Sequence, residues 1–329
     1  MRVFSGVRPT GNIHIGNYLG AIKNWVELQD KADCVFCIVD WHAITTPYEP
    51  KKMQKYIQET AIAYLAAGLD PKKCIFFVQS QVKEHVELSW ILGCVTPVGD
   101  LFRMTQYKEK SKELKENPSA GLLNYPILMA ADILLYQTDI VPVGKDQVQH
   151  VELTREIARR FSRKFGKTFK IPRVQIPKIG AKIMSLQNPK KKMAKTGNPR
   201  GCIGLFDSKK EIKEKIMKAV TDPGREIKYD PVKKPGISNL LTIYSGFSGK
   251  PIKEIEKEFK GAGYEEFKKS LADLLIGKLE PFRKAKKEFS REKINKILKE
   301  GAKRAQKIAQ KTMLKVRKNT GLIQKMFTT

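Results

Sequence analysis

At 329 residues, the chain is too long for one small core and fits about two domains. Its 41% hydrophobic content predicts a globular protein throughout. The formal net charge is +29, from 63 Lys and Arg against 34 Asp and Glu. This excess favours a polyanionic partner, and nucleic acid is the first candidate. The alternative explanation is a lysine-rich proteome in which every surface carries such charge.

The cysteines argue against a metal or disulfide framework. Cys34 and Cys37 form a CxxC, but they lie in CVFCIVD, a run that predicts a buried strand. Residues three apart on a strand face opposite sides and cannot share a metal. We therefore expect no disulfide, zinc or iron–sulfur cluster, and a reducing cytoplasm.

The start of the sequence and the length of its apolar runs predict a protein that does not cross a membrane. The chain starts with the strand-like MRVFSGV and lacks a signal-peptide pattern. Its apolar runs all fall short of the roughly 20 residues that cross a bilayer. The expectation is a soluble, cytoplasmic protein without membrane contact.

The first part of the chain alternates strands and helices. The predicted strands are RVFSGV, CVFCIVD, CIFFVQS and DIVPVG, and the predicted helices are Gly16 to about Gln29, 51–67, HVELSWILGCV and Leu122 to Tyr136. This order predicts an α/β fold with a parallel sheet covered on both faces. Ligands of such sheets bind beyond the carboxyl ends of the strands, where Ser5 to Asn17, Trp41 to Thr45 and Gly144 to Gln147 fall.

After about residue 200 the strand signal fades and basic amphipathic helices follow. Helix 291–317 has Ser290 as its predicted N-cap. Its predicted buried stripe consists of Ile294, Leu298, Ala302, Ala305, Ala309, Met313 and Val316. We expect a nucleotide-binding domain over 1–200, with a mobile polar segment at 103–120, and an all-α domain over 201–329.

A first phosphate-binding segment is PTGNIHIGN, Pro9 to Asn17, which follows a strand and begins a helix. Free N–H groups and the helix dipole favour an anion there. His14 and Asn17 can donate hydrogen bonds to phosphate oxygens, and Arg8 offers a planar guanidinium that fits phosphate. A lone His near a helix start is more often structural, so the context carries the prediction.

A second segment is KKKMAKT, Lys190 to Thr196, in a loop-like stretch. Basic runs are usually solvated, but an apolar Met193 interrupts this one. A loop anchored by Met193, with Lys192 and Lys195 directed at an anion, explains the pattern. Such ammonium groups suit the charge that develops on a leaving group. The two segments together predict an enzyme that cuts ATP between its α- and β-phosphates.

A third signal is Asp132, which interrupts an apolar helix. A buried carboxylate needs a donor partner. Met129, Asp132, Ile133 and Tyr136 share one helix face, an apolar slot with one acceptor that suits an indole N–H. An Asp paired with an internal Arg or a backbone donor is the alternative. The following GKDQ, Gly144 to Gln147, could contact a ribose or be an ordinary turn.

With these residues in hand, the chain closely resembles the bacterial tryptophanyl-tRNA synthetases, a family of class Ic aminoacyl-tRNA synthetases. The resemblance spans essentially the whole length. It depends on SGVRPTGNIHIGNYLGA for the HIGH signature, DWHAIT, MTQYKEKS, AGLLNYPILMAADILLY, DIVPVGKDQVQHVELTREIARRF, KIMSLQNPKKKMAKT for the KMSKS signature, and KPGISNLL.

The resemblance implies a Rossmann-like ATP-binding domain, a helical anticodon-binding domain and a homodimer. The implied catalytic residues are His14, Asn17, Lys110, Lys192 and Lys195. ATP contacts would fall on Arg8, Pro9, Thr10, Gly16, Asn17, Gly144, Lys145, Asp146, Ile183, Lys192, Met193, Ala194, Lys195 and Thr196. The tryptophan pocket would use Phe4, His42, Met129, Asp132, Ile133, Val141, Val143 and Gln147.

The implied reaction activates L-tryptophan with ATP to the adenylate, releases pyrophosphate, and transfers the amino acid to tRNA(Trp). Mg²⁺ would arrive with ATP, because no carboxylate cluster suggests a dedicated site. The KMSKS-like loop 192–196 departs from the family in Ala194 and Thr196, with Gly197 after it, and Lys145 and Asn17 also differ. Its lysines and Met remain, so phosphate chemistry is expected to survive.

Two other functions stay open at this point. A tyrosyl-tRNA synthetase shares the architecture and the HIG signature. A non-catalytic synthetase-like paralogue could bind RNA through its basic helices. Simple adenylyltransferases with a HIG motif are disfavoured, because they do not need a basic helical domain of this length.

Overall fold

A five-stranded parallel sheet organises the first part of the chain. The computed structural model describes residues 1–9, 11, 13–113, 118–176, 183–194 and 199–322. The strands are β1 (Arg2–Val7), β2 (Asp33–Ile38), β3 (Ile75–Val78), β4 (Ile140–Pro142) and β5 (Arg173–Gln175). Their order is β3-β2-β1-β4-β5, and every pairing is parallel. The predicted Rossmann-like sheet is confirmed, although the sequence did not predict β5.

Helices connect the strands and also follow the last of them. Those of the first part are α1 (Ile15–Asn17), α2 (Lys23–Leu28), α3 (Asp40–Ala43), α4 (Pro50–Ala66), α5 (Glu84–Gly93), α6 (Val98–Phe102), α7 (Thr105–Glu113), α8 (Ala120–Leu135) and α9 (Val148–Phe165). Those of the second part are α10 (Lys209–Met217), α11 (Pro235–Ser248), α12 (Ile252–Glu258), α13 (Tyr264–Lys278), α14 (Glu280–Glu288) and α15 (Arg291–Thr320). Within the described ranges, no helix has both the length and the apolarity to cross a membrane.

Two predicted segments differ in detail from the structure. The helix predicted from Gly16 is divided into α1, a π-helical turn at Tyr18–Ile22, and α2. Such turns are frequent at functional sites. The polar segment 103–120 contains the helix α7, which the sequence analysis did not predict. Its mobility stays a prediction.

The sheet has an apolar core on each face. Along β2, Cys34, Phe36 and Ile38 enter one core, while Val35 and Cys37 enter the other. The alternation follows from the period of two along a strand. Cys34 and Cys37 therefore face opposite sides, as predicted, and all five cysteines are free.

The last helix crosses from one core to the other at the β3 edge of the sheet. Ile294 and Leu298 of α15 pack in the first core, and Ala302 and Ala305 in the second. At the crossing, a Cβ on Gly301 would lie 1.8 Å from the carbonyl oxygen of Phe76, so only glycine permits this approach. The helix thereby covers the edge strand, which would otherwise be open to pairing.

The predicted features of α15 are present. Ser290 caps it by accepting a hydrogen bond from the backbone N–H of Lys293, and the whole predicted stripe is buried. Because α15 shares both cores with the sheet, the last helix of the predicted all-α domain also stabilises the first domain. The division at residue 200 stays a prediction.

Candidate active site

A cavity of about 340 Å³ opens at the carboxyl ends of the strands. The strand order reverses between β1 and β4, and ligands of open α/β sheets bind at such a reversal. The residues expected to bind tryptophan come from β1, β4, α3, α8 and the turn after β4, yet all of them line this one cavity. They are Phe4, His42, Met129, Asp132, Ile133, Val141, Val143 and Gln147.

Asp132 lies on α8 with a relative exposure of 2%. Its Oδ2 accepts a hydrogen bond from His42 Nε2 at 2.7 Å. Its Oδ1 accepts one from Gln79 Nε2 at 2.7 Å and one from His85 Nδ1 at 2.6 Å. The partners are thus two imidazoles and an amide, not the Arg or backbone donor of the alternative explanation.

These donors keep the buried carboxylate ionised. Burial alone raises the pKa of a carboxyl group, but the charge and hydrogen bonds of His42 and His85 exceed that effect and lower the pKa of Asp132 to about 2. An ionised carboxylate only accepts, so each partner nitrogen is a donor. The cavity wall therefore carries a fixed negative charge in apolar surroundings.

Sequence reasoning missed Gln79 and His85. Gln79 directly follows β3, and His85 lies in the first turn of α5; both are fully buried. A signal was available, because Gln79 occupies the carboxyl end of a predicted strand, the same edge as the other candidate residues. Nothing local in the sequence connects either residue with Asp132.

Two cationic groups also line this cavity. Arg8 and Lys110 both line it, and the charge of Arg8, after the larger effect of burial, lowers the pKa of Lys110. Lys110 Nζ lies 5.0 Å from the ring centre of Tyr125. Arg8 donates to Thr46 Oγ1 at 2.8 Å, and neither cation forms an ion pair with a described carboxylate. Such paired cations favour an anionic ligand.

His14 caps α1 instead of being a free donor at both ring nitrogens. Its Nδ1 accepts from the N–H of Gly16 at 3.1 Å, and the side chain of Asn17 accepts from the His14 N–H at 3.1 Å. Burial, and then the charge of Lys192, lower the pKa of His14 to about 4. At pH 7 the neutral ring therefore carries its proton on Nε2, where it can donate to a ligand.

The KKKMAKT segment lies beside this helix start. Met193 is buried at 2% exposure, as an anchor must be, and its N–H donates to the carbonyl of Ile183 at 2.9 Å. A Cβ on Gly16 would lie 3.6 Å from the Cβ of Ile183. The segment that follows this loop also pairs with the PTGNIHIGN segment, because Ile15 N–H donates to the carbonyl of Ile203 at 3.0 Å. The structure thus brings the two signatures together.

The other expected ATP residues are more dispersed. Gly144, Lys145 and Asp146 are exposed just beyond β4, beside Gln147 of the cavity, and Ala194 is exposed too. Pro9 is buried next to Arg8. Three predicted residues lie outside the described ranges, namely Thr10, Lys195 and Thr196.

The side chains of the described ranges also bear on metal binding. In those parts of the chain, no group of three or more His, Cys, Asp or Glu side chains is arranged to hold a metal ion. The two histidines on Asp132 are committed to its carboxylate. We therefore expect the described polar groups of the cavity wall to bind a ligand as hydrogen-bond donors, acceptors or cations, and not through a metal ion.

The chain is similar to known proteins over nearly its whole length. A tryptophan–tRNA ligase from Caldanaerobacter subterraneus subsp. tengcongensis is 55% identical and covers 98% of each chain. A tryptophanyl-tRNA synthetase structure from Campylobacter jejuni, complexed with ADP and tryptophan, has a TM-score of 0.86 and 38% identity over 98% of this chain and 100% of that one. The Mycoplasma pneumoniae enzyme has a TM-score of 0.89 and 35% identity over 98% of both. Residues 1–280 match the family model described as tRNA synthetases class I (W and Y). The chain belongs to this family of class I tRNA synthetases.

Proposed function

We propose that this chain is a tryptophan–tRNA ligase. It activates L-tryptophan with ATP to tryptophanyl-adenylate, releases pyrophosphate, and transfers the amino acid to the 3′ end of tRNA(Trp). Near-full-length relatives that carry this name support the reaction. The order of the two steps follows from the family's chemistry, in which an activated carboxyl precedes the ester.

One observation carries the choice of amino acid. The cavity is apolar except for a few polar groups, and Asp132 supplies its buried negative oxygen. Three of about four acceptor positions on a carboxylate are taken by described donors, which leaves one on Oδ2 for a ligand. An indole is a large apolar ring with a single N–H and therefore complements this wall.

Cationic side chains at and near the cavity balance the negative charge of the ATP triphosphate in this proposal. In this proposal the tryptophan carboxylate attacks the α-phosphorus, and the bond from that phosphorus to the pyrophosphate oxygen breaks. Arg8 and Lys110 offset the negative charges that must approach each other in the cavity. His14 and Lys192 stabilise the phosphoryl group and the departing pyrophosphate. Positioning and electrostatics suffice, so no covalent nucleophile is required. Mg²⁺ enters with ATP as part of the substrate.

The assignment of individual residues is part of the proposal. We assign ATP to the residues from Arg8 to Asn17, from Gly144 to Asp146, and around Ile183 and 192–196. The tryptophan pocket is the eight-residue set that lines the cavity. In the second step, the terminal 2′-hydroxyl of the tRNA attacks the adenylate carbonyl, as the class I resemblance implies. The bond from the carbonyl carbon to the phosphate oxygen breaks, AMP leaves, and the hydroxyl proton is released.

The tRNA is proposed to contact the helical region over 201–329. The exposed face of α15 is strongly basic, with Glu292 and Glu300 as its exposed acids. Its exposed cations are Arg291, Lys293, Lys296, Lys299, Lys303, Arg304, Lys307, Lys311, Lys315 and Lys318. Such a face favours a polyanion, and binding should weaken linearly with the logarithm of salt concentration.

A homodimer is also proposed. An apolar groove of about 660 Å³ runs along α5, α6 and α8. Trp90 in it is 77% exposed, and Ile44, Val86 and Val98 are exposed beside it. A contiguous exposed apolar surface is typical of a protein interface. Because family members are expected to be homodimers, a second copy of the chain is the occupant.

The free cysteines are consistent with a cytoplasmic location.

The decisive experiment is ATP–pyrophosphate exchange with tryptophan, tyrosine and no amino acid. Tyrosine is the competing substrate, because its phenol also donates one hydrogen bond and the family model covers both amino acids. Exchange with tryptophan alone, followed by charging of tRNA(Trp), is the expected result. Exchange with tyrosine would reassign the substrate, and none with either would indicate a non-catalytic RNA-binding protein.

A further inference from the structure

Behind the wall of the cavity, Asp132 is held by a chain of buried side chains that do not themselves line it. His85 contacts Asp132 through Nδ1 and the hydroxyl of Tyr136 through Nε2, at 2.6 Å and 2.8 Å. All three side chains are almost completely buried. His85 is the middle member, with Asp132 on one side and Tyr136 on the other.

The two ends of this chain fix the orientation of the imidazole between them. Asp132 is ionised and can only accept, so His85 carries its proton on Nδ1. Burial, and then nearby negative groups, raise the pKa of Tyr136 well above its usual value, so its hydroxyl keeps its proton. The Tyr136 hydroxyl lies 2.8 Å from Nε2 and holds the far side of the imidazole ring. Tyr136 therefore fixes the ring orientation in which Nδ1 donates to Asp132.

Oδ1 of Asp132, which accepts a hydrogen bond from His85, also accepts one from a second donor. Gln79 Nε2 donates to Oδ1 at 2.7 Å, and Gln79 Oε1 has no partner among the described residues. Oδ1 thus accepts two hydrogen bonds and has no capacity for a ligand. Oδ2 accepts one, from His42, and retains one lone pair. The arrangement makes the two oxygens of Asp132 unequal.

We propose that His85, oriented by Tyr136, is the positioning residue that fixes the carboxylate of Asp132 so that one lone pair of Oδ2 faces the substrate ring N–H. This inference deepens the proposed function and depends on it. Gln79 assists by occupying Oδ1. His85 does not touch the substrate, so it acts on the choice of amino acid only through Asp132.

This role predicts a change in the discrimination between substrates with and without a ring N–H, and not only a change in activity. A carboxylate that is free to rotate would lose its preferred direction, and an indole N–H would bind less tightly. An isosteric substrate without the N–H would lose nothing at this position. The measured quantity is therefore the ratio of kcat/KM for tryptophan to kcat/KM for β-(benzothiophen-3-yl)alanine, in which sulfur replaces the indole N–H.

The experiment compares four variants with the wild type by ATP–pyrophosphate exchange. His85→Leu removes the donor and should lower the ratio by about tenfold to a hundredfold, the range for a hydrogen bond to a charged group. His85→Asn places an amide N–H near the position of Nδ1 and should recover most of the ratio. Tyr136→Phe removes the hydroxyl that holds the far side of the imidazole and should lower the ratio by a few-fold.

Tyr64→Phe is the matched control. Tyr64 is also fully buried, and its hydroxyl has no hydrogen-bond partner among the described residues. Removing that hydroxyl should leave the ratio unchanged. A purely structural effect of deleting a buried hydroxyl would instead appear equally in Tyr64→Phe and Tyr136→Phe.

The outcomes separate the two levels of the proposal. If the wild type catalyses no exchange with tryptophan, the proposed function fails and this inference fails with it. If the wild type discriminates but His85→Leu, or Tyr136→Phe should the leucine variant not fold, keeps the full ratio, the inference alone is overturned. A ratio that falls in His85→Leu and returns in His85→Asn supports it.

Discussion

The ammonium group of Lys192 acts on the imidazole of His14: burial first, and then this charge, lower the pKa of His14 to about 4. The two residues belong to two sequence signatures that lie far apart in the chain. The pairing of Ile15 with Ile203 and of Met193 with Ile183 holds them together. The convergence gives a neutral donor beside a cation, an arrangement suited to a departing pyrophosphate.

Lys192→Ala should therefore slow adenylate formation with little change in the KM for ATP. Removing one preorganised electrostatic group costs roughly 10²–10³-fold in rate. Single-turnover kinetics with tryptophan and ATP measure the step directly. Lys191→Ala is the control, since Lys191 is an exposed lysine of the same loop. A rise in KM alone would make Lys192 a ground-state binder.

Asp132→Ala should abolish most tryptophan activation. A site built around one hydrogen bond rejects an analogue that lacks it by about 10⁴-fold or more, and the variant also leaves three donors unpaired. Phe4→Leu, which changes only the apolar wall, should cost far less. The comparison is kcat/KM for tryptophan in pyrophosphate exchange, and equal losses in the two variants would contradict the assigned role.

Much of the fold could be predicted because its signals are local. Four strands are buried β-branched runs, and the stripe of α15 repeats with the period of a helix. The strand β5 escaped prediction because it is a three-residue edge strand, exposed at both ends, with no apolar pattern. The helix α7 has no buried residue and therefore shows no periodicity.

The candidate site also has residues that the sequence predicts and residues that it does not. The motif of His14 follows a strand and begins a helix, and Asp132 is a lone carboxylate in an apolar helix, so both are visible in the sequence. The partners of Asp132 are not, because Gln79 and His85 reach it only through tertiary packing. The resemblance to a family supplied the cavity residues that no spacing rule could assemble. It did not supply the donors behind them.

His150 should make stability depend on pH. It is fully buried, its Nδ1 has no partner among the described residues, and its Nε2 meets Tyr125. Burial, and then the charges of Lys110 and His42, lower its pKa to about 4. Between this value and the unfolded value of about 6.5, the unfolded chain binds more protons, so stability falls as pH falls.

The expected loss from His150 between pH 7 and pH 5 is about 2 kcal/mol. Urea unfolding at the two pH values measures it. His150→Gln keeps a polar partner for Tyr125 but does not titrate, so its stability should fall less over the same interval. The same pH dependence in both proteins would show that His150 is not the group responsible.

Trp90→Glu should shift the proposed homodimer towards monomer. The substitution places a charge in the apolar groove, where its desolvation opposes association. Light scattering over a range of protein concentrations gives the mass. Leu314→Glu serves as the control, since Leu314 is another exposed apolar residue but lies on α15 outside the groove. A wild type that is monomeric at micromolar concentration would rule out the dimer.

Gly301→Ala tests whether α15 is an integral part of the sheet domain. A methyl group there would meet the carbonyl oxygen of Phe76 at 1.8 Å, and backbone cannot yield as a side-chain end can. The helix or β3 must shift, at a cost of about 1–3 kcal/mol typical of an overpacked core. Since Ala favours a helix by about 1 kcal/mol over Gly, the substitution would stabilise α15 if the contact were absent.

Gly277→Ala provides the matched comparison, because Gly277 lies in α13 with nothing within 4 Å of its added Cβ. It should raise the unfolding free energy by up to about 1 kcal/mol. Opposite signs in the two variants, measured by thermal and urea unfolding, would confirm that α15 closes the β3 edge. Stabilisation by both would mean that the last helix does not lie against the sheet, and that the region after residue 200 folds as a separate unit.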